Sequence, residues 1–418
     1  MKKKVWILNH YAGNMFFDKG GRHYNFAKYL KQFGYDPVIF SANSKHGVKD
    51  KWFETDALWH EHLAEEIGVP FVYVHARTYV GNGKQRIFNM MDFYRNVKKT
   101  AKEYAKQHGK PDIIYASSVH PLTLVAGLQL AKHFGVKCIC EVRDLWPESL
   151  VAYGIASPNN PAVIALRCLE KWIYKKADHV IMTWPGGYDY IREQEWDREI
   201  PESKVTHIGN GVDLSVFLDN IRQFHIEDLD LQRRDIKKII YAGSIRKVNN
   251  LQILVDAAEI LQRRNVKNIR FLIWGDGDER ANLEQQVAEK KLDLICFKGQ
   301  VAKKYVPSLL AQGDISVLHN SSTSLDRFGQ SQNKFFEYLA AGRPVFMTYS
   351  VGHSICKEKN CGIELDVQSP EAIADAIEQF AGLSEAQCNE YANCASTAVK
   401  DYDFVYLTQK LIYVIEEV

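Results

Sequence analysis

The chain lacks most of the features that would classify it quickly. Its 418 residues carry 53 basic and 51 acidic side chains, a net charge of +2, so no global field draws it to nucleic acid. No apolar run reaches the roughly 18 residues that a membrane span needs. VWIL, after Met1-Lys-Lys-Lys, is broken by Asn9 and His10 and is predicted to be a first strand, not a signal sequence. Any membrane contact is therefore expected to be peripheral. The eight cysteines include no C-x-x-C pair, and several fall inside apolar runs such as VKCICEV, which reads as reduced, buried thiols of a cytosolic protein. His60-Glu61-His62 does not have the i, i+4 histidine spacing of a zinc helix, and no metal site is expected. Repeats of roughly 20–50 residues are also missing.

What is present is an ordinary soluble composition, 46% apolar and 25% charged, in a chain too long for one core at roughly 150 residues per domain. The runs KVWILNH, PVIFSAN, FVYVHA, DIIYASS, VKCICEV and HVIMTW read as strands with helical patterns between most of them, a doubly wound parallel arrangement. KIIYAG, RFLIWG, ICFKG, ISVLH and VFMTY form a second series. The expectation is an α/β protein of two tandem Rossmann-like domains, 1–195 and 196–400, followed by a helix over 401–418 with Leu407, Leu411 and Val414 on one side.

The densest chemistry lies in GQSQNKFFEYLAAGRPV, Gly329 to Val345. Phe336, Leu339 and Ala340 recur at helical spacing, Ser331 or Asn333 suits the cap, and Gly342-Arg343-Pro344 stops the helix. A short helix opening at the carboxyl end of a buried strand aims free N–H groups and a partial positive charge into the crevice where open α/β sheets bind ligands, and phosphate is its natural guest. Lys334 adds a full charge there. Glu337, one turn on, is an acceptor suited to paired sugar hydroxyls.

Other stations are plainer. Gly20-Gly21-Arg22 precedes a periodic helix; the glycines let backbone approach a ligand, and Arg22 is a candidate phosphate partner. SSVHPLT and EVRDLWPESL follow two successive strands, so Ser117, His120, Arg143, Asp144 and Glu148 should converge at the carboxyl edge of the first sheet. Two helices are basic and amphipathic: one carries Arg95, Lys98, Lys99, Lys102 and Lys106, the other Arg167, Lys171 and Lys175 against Leu166, Leu169, Trp172 and Ile173. Such faces are either solvated or laid on anionic membrane. Gly275-x-Gly277 has Arg280 where a dinucleotide fingerprint needs a small residue.

NKFFEYLAAGRPV resembles the donor-site motif of the retaining GT-B glycosyltransferases of family 4, whose members often carry N-K-x-x-E-Y-x-A-x-G-x-P-V. RDLWPES, IGNGVDLSVF and YAGSIRKVNN resemble further segments of that family, so the likeness spans nearly the whole chain. It implies a GT-B fold with the active site in the cleft between the two domains, a final helix crossing back to the first domain, and transfer of a sugar from a nucleotide-diphosphate sugar to an acceptor hydroxyl with retention and without an essential metal or other cofactor. By resemblance Glu337 binds the ribose, and Lys334, Asn333, Gly21, Arg22, Gly243, Arg246, Lys247, Gly275 and Gly277 serve the donor. Asp144, Arg143 and His120 serve catalysis, with Asp144 orienting or deprotonating the attacking hydroxyl. The chain departs from the family at four places: Gly329 stands where many members have a second Glu, Ser244 and Asn249 stand where an Arg and a Lys usually bind the diphosphate, and Arg143 stands where a His commonly faces the donor sugar. The likeness to polysaccharide and O-antigen transferases suggests a glycan or polyprenyl-diphosphate-linked acceptor and a cytoplasmic location, peripheral on the inner membrane. A nucleotide-sugar 2-epimerase and a catalytically silent nucleotide-sugar-binding subunit are the rival readings. No carboxylate pair is arranged as nucleophile and acid, which disfavours a hydrolase.

Overall fold

The computed structural model describes residues 2–81, 83–118 and 120–418. The chain divides into two compact units, residues 1–209 with 404–418, and residues 210–403.

In the first unit, eight strands run in the spatial order β3-β4-β2-β1-β5-β6-β7-β8. They are β1 (Lys4–Leu8), β2 (Asp36–Ala42), β3 (Trp59–Ala64), β4 (Val69–Val74), β5 (Ile113–Ser117), β6 (Lys137–Val142), β7 (His179–Met182) and β8 (Val205–His207). All neighbours are parallel except β3, which runs antiparallel to β4 with Trp59 opposite Val74. Helices cover both faces, which is why the central strands read as continuous apolar runs without alternation. On one face Val5, Ile7, Tyr115 and Ile139 meet the helices Arg22–Gln32 and Phe404–Glu417; on the other, Trp6 packs between Phe40, Tyr104 and Phe134.

The sequence reading missed two strands here. WHEHLA is a half-exposed edge in which exposed Glu61 and Leu63 alternate with half-buried His60 and His62, and edge strands carry little apolar signal. Val205–His207 pairs with β7, so the first unit extends to Gly209 and not to 195. The 404–417 helix belongs to this unit. Phe404, Leu407, Leu411 and Val414 enter its core, and the Phe404 ring meets Phe26 edge-on at 5.4 Å.

The second unit is a six-stranded parallel sheet in the order β11-β10-β9-β12-β13-β14. Its strands are β9 (Lys237–Ala242), β10 (Ile269–Trp274), β11 (Ile295–Gly299), β12 (Ile315–Leu318), β13 (Val345–Met347) and β14 (Gly362–Glu364). β14 was not anticipated. In both sheets the chain winds outward from the first strand in sequence in one direction and then reverses, which leaves a crevice at the carboxyl edge between β1 and β5 and another between β9 and β12.

Candidate functional site

The second crevice is built by the loops that follow β9 and β12 and by the helix Asn333–Ala340. That helix buries Phe335, Phe336, Tyr338 and Leu339 and is fixed to β9 by the Tyr338 hydroxyl, which accepts from the Ala242 N–H and donates to its carbonyl, both at 3.2 Å. Neither Ser331 nor Asn333 caps it. Gln332 occupies the cap position without a side-chain bond, and the Ser331 hydroxyl accepts from the Asn210 N–H at 2.7 Å instead. The first-turn N–H groups therefore keep the anion-binding character of an open helix start.

Lys334 reaches back toward the strand ends. Its ammonium donates to the His319 carbonyl at 3.3 Å and lies 4.9 Å over the Tyr241 ring. Burial pulls its pKa down to about 8. Glu337 is half-buried, and burial raises its carboxyl, with Lys303 partly opposing. The two residues are three apart on one helix, yet they do not pair with each other. Among the described residues neither finds a partner of opposite charge within ion-pair distance. A half-buried cation and a half-buried anion, both unmatched at one crevice, are costly unless a ligand matches them.

The glycines of this edge have a packing duty. At Gly275, φ +147, a Cβ would lie 1.8 Å from the Gly243 carbonyl oxygen, and at Gly277 it would lie 2.2 Å from that of Ile245. The loops after β9 and β10 thus fit against each other backbone to backbone, with Ile245 N–H donating to Asp276 at 2.9 Å. Arg246 and Lys247 project from the first of these loops into solvent. At the two departures from the family, the Ser244 hydroxyl donates to Asn249 at 2.9 Å and Asn249 donates to Asn320 at 2.9 Å, a neutral network in place of two cations.

The first crevice is different in kind. Glu141, near the carboxyl end of β6, is wholly buried and is surrounded by the Arg22 guanidinium at 2.6 Å, the His23 ring at 3.0 Å, the Ser117 hydroxyl at 2.6 Å and the Tyr115 hydroxyl. Burial alone would raise this carboxyl; Arg22 and His23 hold it well below the usual carboxylate range. Arg22 also donates to the Gly209 and Ile208 carbonyls at 2.5 and 2.8 Å. The phosphate role expected of Arg22 is therefore corrected: its side chain is 2% exposed and engaged in an internal ion pair with Glu141. Gly21 precedes it at φ +105, a backbone requirement of the helix start.

His120 caps the helix Pro121–Phe134 from a buried position, its Nε2 2.7 Å from Nδ1 of His10. Burial pulls His120 down to about 3 and His10 well below its ordinary value, so both rings are neutral near pH 7. Sequence reasoning did not single out His10, nor Glu141, although an acid inside the apolar run VKCICEV was a visible signal. Of the five residues expected to converge, Ser117 turns into the Glu141 network and Glu148 pairs with Arg167 at 2.8 Å. Arg143 has its N–H bonded to the Ser118 hydroxyl at 3.1 Å. Asp144 opens to solvent at the strand edge; the protein packed around it raises its carboxyl, against Arg143 and Arg86. Asp144 and Glu170 line one cavity of about 20 Å³, room for roughly one water. Glu170 accepts from the Tyr174 and Tyr190 hydroxyls at 2.6 and 2.7 Å, and burial lifts it to about 8. Among the described residues no group of His, Cys, Asp and Glu is placed to hold a metal.

Residues 22–216 match the family model described as Glycosyltransferase Family 4, and residues 236–382 match the model Glycosyl transferases group 1. A D-inositol 3-phosphate glycosyltransferase of Paenarthrobacter aurescens is 27% identical over 279 residues, 65% of this chain and 65% of that one. The chain thus spans about two thirds of that relative's length. Among solved structures, a sucrose-phosphate synthase from Thermosynechococcus elongatus superposes with a TM-score of 0.71 at 16% identity, over 100% of this chain and 99% of the other. Anabaena HepE in complex with UDP gives 0.66 at 15% identity with both chains fully covered. At these identities the likeness carries the fold, which is the GT-B class of two Rossmann-like units.

Proposed function

Because the chain belongs to glycosyltransferase family 4, we propose that it moves a sugar from a nucleotide-diphosphate sugar, of the UDP type, to a hydroxyl of a glycan or polyprenyl-diphosphate-linked acceptor, with retention at the anomeric carbon. The observation that carries this reading is the unmatched pair Lys334 and Glu337 on one short helix at the switch point of the second sheet. The helix start and the Lys334 ammonium suit a diphosphate, whose charge grows as the glycosidic bond to it breaks. Glu337, an acceptor one turn further on, suits the two hydroxyls of the ribose. These groups supply the leaving-group stabilisation, so the proposed reaction needs no metal or other cofactor.

In the first unit the acceptor hydroxyl is assigned to the carboxyl edge beside Asp144, whose raised pKa suits a group that orients or accepts a proton. His120, neutral and buried against His10, is assigned a positioning role. The setting we infer is cell-surface polysaccharide assembly at the cytoplasmic face of the inner membrane, supported by the RDLWPES likeness.

The test is calorimetry with UDP. Glu337→Ala is expected to weaken binding by about 1–3 kcal/mol through unpaired ribose hydroxyls; unchanged affinity overturns the donor site. Mass spectrometry of a donor library against polyprenyl-diphosphate sugars then identifies the transfer.

A further inference from the structure

The helix Pro161–Lys176 wears its apolar residues on the wrong side. Val163, Ile173 and Tyr174 face the core, but Ile164, Cys168 and Trp172, four residues apart in turn, form an outward stripe, with Ile164 49% and Trp172 41% exposed. Trp172 was expected on the covered face. Ile155, 71% exposed, and Tyr153 precede this helix. The basic residues expected to make its polar face are largely neutralised: Arg167 pairs with Glu148, and Lys171 and Lys175 both pair with Glu199.

The helix Lys84–His108 lies in the same layer, the helix Pro121–Phe134 packing against both. It opens with exposed Ile87 and Phe88, and then presents Arg95, Lys99, Lys102 and Lys106 outward, none of them in an ion pair among the described residues. Both helices follow parallel strands, so their starts lie at the carboxyl edge of the sheet, the edge that carries Asp144. Asp144 precedes the exposed Tyr153 by fewer than ten residues.

We propose that this layer is a docking surface for an anionic lipid bilayer. Ile155, Ile164 and Trp172, with Ile87 and Phe88, enter the headgroup boundary, while Arg95, Lys99, Lys102 and Lys106 meet lipid phosphates. The occupant follows from charge complementarity. An exposed apolar stripe alone fits a second copy of the chain, but a row of unpaired cations in the same layer repels its own image and attracts an anionic plane. Neither contribution anchors a protein alone, and the two together do. The inference rests on the lipid-linked acceptor proposed above: docking at this edge brings a lipid-borne hydroxyl to Asp144 with no need for the acceptor to leave the membrane.

The experiment is sedimentation of the intact chain with phosphatidylcholine vesicles, with and without phosphatidylglycerol. Thermal melting of the same samples serves as the folding control, and UDP binding is measured beside it by calorimetry. Wild type is expected on the phosphatidylglycerol vesicles, with release by high salt. Ile164→Ser with Trp172→Ser, and separately Lys99→Glu with Lys102→Glu and Lys106→Glu, are each expected to weaken binding at least about tenfold and to leave UDP affinity unchanged. Wild type staying in the supernatant, or either variant binding as wild type does, overturns the proposal. So does a concentration-dependent dimer in ultracentrifugation that Ile164→Ser with Trp172→Ser abolishes, which assigns the stripe to a second copy. Vesicle binding without UDP binding would sink the donor reading and leave this surface standing.

Discussion

The crevices of the two sheets contain similar side chains in opposite states. Between β1 and β5 an arginine and a glutamate are buried together, and each charge is met by the other and by surrounding donors and carbonyls. Between β9 and β12 a lysine and a glutamate share one helix and ignore each other. The first arrangement is complete without a ligand; the second is not. Charge at a sheet edge therefore marks a binding site only where its partner is absent, because satisfied buried charges belong to the architecture.

The contrast breaks most severely at Glu141. Glu141→Gln leaves the Arg22 guanidinium buried without its counter-charge and is expected to cost about 3–5 kcal/mol in denaturant unfolding, with UDP affinity preserved in the protein that folds. Stability unchanged by this substitution would mean that the network is not structural. Glu170 comes next. Its folded pKa, about 8, lies above the unfolded carboxylate value, so its stabilising effect is full in acid and is lost as pH rises toward 8. Glu170→Gln should flatten that loss, about 1.4 kcal/mol per pH unit at its steepest, in melting curves from acid to mildly alkaline pH. In the second crevice the effect moves from stability to affinity. Diphosphate favours the charged form of Lys334, so UDP binding should weaken by up to about tenfold per pH unit above 8, and Lys334→Met should bind weakly with that slope removed while melting near the wild-type temperature. A pH profile shared by wild type and the lysine variant would show that Lys334 does not meet the phosphates.

The donor helix was legible because its signals are local: strand, polar loop, apolar spacing, Gly-Arg-Pro stop and the Lys334-to-Glu337 interval all fall within a short window. Arg22 was misread for the opposite reason. Its partner Glu141 is 119 residues away, and no local pattern tells an arginine that binds phosphate from one that closes an internal ion pair. β3 was missed because an antiparallel edge strand centred on His60-Glu61-His62 has no apolar run. Trp172 was put on the wrong face because periodicity reports that a helix has two sides, whereas its neighbours decide which is covered. The caps failed likewise, since Ser331 had two uses and tertiary structure chose the Asn210 amide.

The return of residues 404–417 to the first unit has a consequence for biogenesis. During synthesis the second unit has all its residues before the first has its closing helix, so the portion translated earliest completes its interior last. Until Phe404 and Leu411 emerge, Phe26 and Leu30 face water or a chaperone. A nascent chain stalled before residue 404 would be expected to carry one finished body and one open one.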